Sequence, residues 1–352
     1  MSTGSAAELP EPRSGSGAPA VDWNVAASTA KRLLSAGPNI GRLDAMRAVH
    51  QLRGLSTKAE AHVREVTGLG EGLPLLEGDV VDRAGWVDSA TEGMAALLGK
   101  GGGSGRLSGM LAGTAGVQAG IVLAYLGTKV LGQYDPFTGG GFGRLVLVAP
   151  NIVAAQRALD VPAEDFSQWV CLHESTHRLQ FTAVPWLREH FANEVGRLMN
   201  TMDESSGAVL ARLPDALREV RKRSEKVNII ELLQSPSQRL LLDRLLALST
   251  LLEGHADHVM DAVGPDVVPS VHTIRSRFNQ RRTGGGLGDR LLRALLGVDA
   301  KIRQYEEGKA FTDHVVGEVG MAGFNAVWTS PNTLPTRAEI AEPATWIRRI
   351  HG

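Results

Sequence analysis

Apolar residues recur at helical spacing through most of the chain, and only one run has the character of a strand. From Val21 the pattern turns helical. Asp22 can cap a segment running through Trp23, Val25, Ala26 and Leu33 that stops near Gly37-Pro38. A second helix is expected from Ile40 to Val66, ended by Gly68 and Gly70, and Val80-Val81 lead into a third that ends near Leu98. Gly101 to Gly105 make a loop, and Arg144-Leu145-Val146-Leu147-Val148-Ala149-Pro150 is the strand candidate. Asp160-Val161-Pro162 opens the next helix, with Glu164 and Asp165 well placed for its dipole, and Pro185 breaks it. Helical patterns return from Trp186 to Met202, Ser206 to Ser224, Ser235 to Val263, Val268 to Asn279, Leu287 to Leu296 and Asp299 to Val319. Asn228 to Gln234 is a short helix or linker, and the Pro-interrupted tail after Thr329 has room for a short helix near Glu339. The expected fold is mainly α with a small β-sheet. There is no internal repeat and no heptad array.

Leu107 to Thr128 carries no charge, and Gly109, Gly113, Gly116 and Gly120 line it at helical spacing. Length and small residues suit a membrane span, but the segment is rich in Gly, Ala, Ser and Thr rather than Leu and Ile. A helix fully buried in the core, with no stable membrane insertion, is the expectation. The loops Gly139 to Gly143 and Gly284 to Gly286 lack a preceding strand, so neither reads as a phosphate loop.

Composition narrows the classes. The formal net charge of −1 and 5% aromatic content give no field or stacking platform for nucleic acid. Cys171 is the only cysteine, which excludes an intrachain disulfide and suits a cytoplasmic protein; a buried structural thiol is expected there. Residues 1–20 are rich in Ser, Gly, Pro and Ala, and are expected to be a disordered tail rather than a secretory signal. Residues 21–352 are then long enough for one large domain, as a single body or as two lobes around a cleft.

The chemistry concentrates in His173-Glu174-Ser175-Thr176-His177. Residues four apart share a helical face, so both imidazoles can turn to one metal ion, and Glu174 can reach a water on that ion as general base. Chance supplies about 0.02 such pentapeptides in a chain of this size. A catalytic zinc needs a third protein ligand. The best donor is Glu253 in Leu252-Glu253-Gly254-His255-Ala256-Asp257-His258, with Asp257 one turn on as an acceptor for a ligand imidazole N–H. His255 lies about 200° round the helix from Glu253 and His258 about 140°, which leaves His258 the stronger rival. Gly254, a helix-weakening residue, suggests a close neighbour.

H-E-x-x-H followed by a helical E-x-x-x-D resembles the gluzincin branch of the zincin metallopeptidases. Val81 to Trp86, Trp169 to Phe181 and Leu252 to Asp257 are similar to an actinobacterial family of zincin-like hydrolases described as associated with deazaflavin coenzyme biosynthesis. The resemblance covers most of the chain after Val21. It implies a zincin-like architecture with Zn²⁺ held by His173, His177 and Glu253, and Asp257 supporting a ligand histidine. Glu253 follows His177 by 76 residues, further than in typical gluzincins, which a helical insertion from Trp186 to Leu233 accounts for. The expected reaction is hydrolysis of a peptide or small amide, with Leu145 to Val148 as a strand for an extended substrate to pair with. Tyr125, Tyr134, Tyr305 and His314 are the options for an oxyanion donor. Two His and one carboxylate also suit Fe(II), but Glu174 placed as a base favours hydrolysis. A metal-stabilised helical scaffold without turnover is the other reading, and a membrane-associated peptidase a third.

Overall fold

A computed structural model of the chain describes residues 21–98, 106–204, 236–283 and 298–352. The expected tail, the loops at Gly101–Gly105 and Gly284–Gly286, the helices at Ser206–Ser224 and Leu287–Leu296, and the segment Asn228–Gln234 lie outside these residues. The first half of the chain contains α1 (Trp23–Leu33), α2 (Arg42–Thr67), β1 (Asp79–Val81), α3 (Arg83–Leu98), α4 (Arg106–Leu126), β2 (Gly132–Asp135) and β3 (Arg144–Val148). Then come α5 (Ala149–Leu159), α6 (Ala163–Thr182), α7 (Pro185–Glu204), α8 (Pro236–Ala262), α9 (Val271–Thr283), α10 (Val298–Phe324), α11 (Arg337–Ala341) and α12 (Pro343–His351). The fold is mainly α with one three-stranded sheet.

The strand expected at Arg144–Val148 forms, and it takes the middle of the sheet in the order β1-β3-β2. It pairs in parallel with β1, Val81 opposite Val148, and antiparallel with β2, Gly132 opposite Leu147. Both of its edges are therefore occupied, and β1 and β2 are the sheet's two edge strands. The alternation of β3 splits two cores: Leu145 and Leu147 join the α2, α5 and α6 side, and Val146 and Val148 join α1, α3 and α4. A third core gathers α7, α8, α10 and the C-terminal helices around Phe311, Phe324 and Trp346.

Helix α6 lies between these layers and is buried on nearly every side. Its rotation is fixed by a buried ion pair: Arg178 Nη1 donates to Glu60 Oε2 of α2 at 2.8 Å, with Glu60 1% exposed. Arg64 also bonds Glu60 and donates to the carbonyls of Gly70, Leu73 and Pro74, and Arg178 reaches those of Leu76 and Glu77. Two guanidiniums thus satisfy a buried carboxylate and clamp the α2–β1 loop, which supplies the hydrogen bonds that a buried pair needs.

Some expectations change. Helix α4 is not buried all round: Gly116 and Gly120 bring it against the backbone of α1, while Val117 and Ile121 on its other side are 43% and 51% exposed. No helix among the described residues is long and apolar enough to cross a membrane. Ala149-Pro150 begins α5 rather than ending β3, because proline in a first helical turn forgoes an N–H that has no partner there anyway. Pro162 precedes α6 rather than lying within it. The tail holds a second helix, α12, which buries Trp346 completely.

Gly254 has the close neighbour expected of it. Helices α8 and α10 cross at Gly254 and Gly308, where a Cβ on either would run into the other helix's backbone. Gly308→Ala should therefore cost about 1–3 kcal/mol and lower Tm by several degrees in thermal unfolding. An unchanged Tm would mean that the helices are not in backbone contact there.

Candidate metal centre

One turn of α6 and one residue of α8 converge. His173 Nε2 and His177 Nε2 are 3.2 Å apart, and Glu253 Oε2 lies 3.5 Å from the first and 3.7 Å from the second. Zinc bound tetrahedrally at about 2.0–2.2 Å holds its nitrogen and oxygen ligands about 3.3–3.5 Å apart. The donor set and its spacing therefore fit that ion. Among the described residues this is the one group of three or more metal-ligating side chains that lies so close together. It opens into a cleft of about 590 Å³ lined by β2 and by Trp169, Phe181, Phe191, Met260 and Phe278.

Glu174 is buried against β2, and the reason it fits is Gly132. A Cβ at that position would stand 2.6 Å from Glu174 Cγ and 2.8 Å from its carboxylate. Burial pushes the Glu174 pKa up; the neighbouring His177 opposes this and Glu253 adds to it, leaving about 7. Burial alone would lower His177, but its contact with Glu253, the charge of Glu174 and a bond to Gln180 carry it up to about 9.

Asp257 lines the same cleft one turn beyond Glu253, and its carboxylate accepts from Arg275 Nη1 at 3.2 Å. The second ring nitrogen of His177 faces Gln180 Oε1 at 2.9 Å, so for that histidine the supporting place is filled by Gln180. Gln180 was legible as the residue one helical turn after His177, but an amide carries no titration signature to mark it. His258 turns away to Asp313 at 2.7 Å. His255 is fully buried, with its ring stacked on Phe324, and burial, then the charges of His258 and His177, push its pKa down to about 3.

Of the oxyanion options, Tyr134 alone among the described side chains lines the cleft, and its hydroxyl donates to the Phe142 carbonyl at 2.9 Å. His314 is exposed, and the Tyr305 side chain lies outside the described residues. Strand β3, central in the sheet, has no free edge for a substrate; the strand packed against Glu174 is β2, which is an edge strand.

Two imidazoles one turn apart, a carboxylate from a second helix and a buried acid beside them make a metal-hydrolase layout. A family model of zincin-like metallopeptidases matches residues 21–347, and the chain belongs to that family. A crystal structure from Chloroflexus aurantiacus, described as that of a candidate hydrolase with a novel fold, is 31% identical. The match covers 94% of this chain and 98% of that one, with a TM-score of 0.67. No curated protein matches the chain. Neither match carries a link to deazaflavin coenzyme biosynthesis.

Cys171, also on α6, is fully buried with its Sγ 4.0 Å from the Leu52 carbonyl, and burial and the Glu174 charge hold its thiol well above the ordinary range. A thiol reagent such as dithionitrobenzoate should leave the native protein unmodified and titrate one thiol in guanidinium. Fast reaction of the native protein would show that α6 is not packed as described.

Proposed function

We propose that the protein is a zinc-dependent hydrolase of peptide or small amide bonds, with residues 21–352 as its catalytic unit. The observation that carries this reading is the His173, His177 and Glu253 triangle, sized for zinc, with the buried Glu174 beside it. When bound there, zinc acidifies a water and polarises the scissile carbonyl. Glu174, with a pKa near neutrality, accepts the water proton and returns it to the leaving nitrogen. Gly132 keeps β2 close enough to hold that carboxylate in place. The open edge of β2 offers backbone groups to an extended substrate, the part the sequence reading gave to β3. The aromatic lining of the cleft lowers the local dielectric and so strengthens each polar contact.

Glu174→Gln tests the assignment on a library of quenched-fluorescent peptides. Hydrolysis should fall by at least about 100-fold while zinc content stays at the wild-type level. A Glu174→Gln protein that hydrolyses as well as wild type would refute the role of Glu174. Gly132→Ala, which forces the Glu174 carboxylate aside, should lower kcat by about 10-fold or more with zinc retained. An unchanged kcat would show that the carboxylate does not need its place against β2.

A further inference from the structure

Gln180 spends all of its hydrogen-bonding groups in one arrangement. Its Nε2 donates to the Leu252 carbonyl at 2.9 Å and to His255 Nδ1 at 3.0 Å, and its Oε1 faces His177 Nδ1 at 2.9 Å. A primary amide has two N–H donors, and both are used. Turning the amide over would set its oxygen against the Leu252 carbonyl oxygen, two acceptors in a site where Gln180 and His255 are both fully buried. The backbone therefore decides the orientation of Gln180. Since Oε1 can only accept, His177 Nδ1 must carry the proton of that bond, and in the neutral ring the lone pair falls on Nε2, the atom that faces His173 and Glu253.

His255, buried close by, belongs to the same device. Its ring is held by Phe324 at 5.1 Å and Trp328 at 5.5 Å between ring centres, which keeps Nδ1 turned to the Gln180 amide. Leu252, Glu253 and His255 occupy one turn of α8, so the turn that presents Glu253 also orients Gln180. We propose that Gln180 is the positioning residue of the metal centre. It holds His177 in the Nδ1–H tautomer with Nε2 free to bind zinc, and Leu252 and His255 hold Gln180. This rests on the zinc-ligand reading above.

The test measures zinc affinity by competition with a chromophoric chelator, alongside thermal unfolding of each metal-free protein. The proteins are wild type, Gln180→Leu, His255→Phe and the Gln180→Leu/His255→Phe double variant. Gln180→Leu should raise the zinc Kd by about 10- to 100-fold, the usual cost of losing a ligand's supporting partner. His255→Phe should weaken zinc binding by less than Gln180→Leu, and should add nothing in the Gln180→Leu background because it acts through that amide. Gln180→Leu with wild-type affinity, or full additivity in the double variant, would each overturn the proposal. A wild-type protein that binds no zinc would instead overturn the ligand reading and this proposal with it.

Discussion

Two carboxylates and two imidazoles, those of Glu174, Glu253, His173 and His177, are crowded together in one largely buried site. Such a group costs several kcal/mol to bury unless its charges are matched. Within the group, Glu253 and Glu174 drive His177 toward its protonated form, and burial drives Glu174 toward neutrality. A divalent cation held by His173, His177 and Glu253 would balance these charges. The spacing of the His173, His177 and Glu253 ligand atoms suits such a cation.

The rest of the fold keeps that group together against its own repulsion. Helix α6 cannot rotate, because Arg178 next to His177 is tied to the buried Glu60 of α2. Helix α8 approaches on the other side, held in turn by the glycine crossing with α10. Between them, Gln180 bridges the two helices by hydrogen bonds to Leu252 and His255. The sheet contributes its edge strand, with Gly132 making room for the one acid that is not in the ligand triangle. Each of these supports lies within a turn or a strand of the centre, and each is a polar bond or a backbone contact that a larger or apolar residue would break.

The local part of this was legible in the sequence. Four-residue spacing on a helix is geometry, so His173 and His177 could be set on one face with Glu174 beside them, while Glu253 was the preferred third donor with His258 as its rival. Gly254 announced a close neighbour without naming Gly308, since a glycine shows that space is needed and not what fills it. Strand β2 was hidden because Gly132-Gln133-Tyr134-Asp135 has neither an apolar run nor clean alternation, and one edge of it faces the cleft rather than another strand. The apolar run of β3 was found, but its place in the middle of the sheet depends on two pairings across distant segments, which no local pattern encodes. Glu60, more than a hundred residues before Arg178, was out of reach for the same reason. Proline misled at Pro150, where it starts a helix rather than ending a strand.

The central claim is that His173, His177 and Glu253 bind one zinc ion. The most direct test is elemental analysis of purified wild-type protein beside the His177→Ala and Glu253→Ala variants. About one zinc per chain in wild type, lost from both variants while their folds persist, is the expected result. Wild-type protein that holds no transition metal and takes none up, or a Glu253→Ala protein that keeps its zinc, would contradict it.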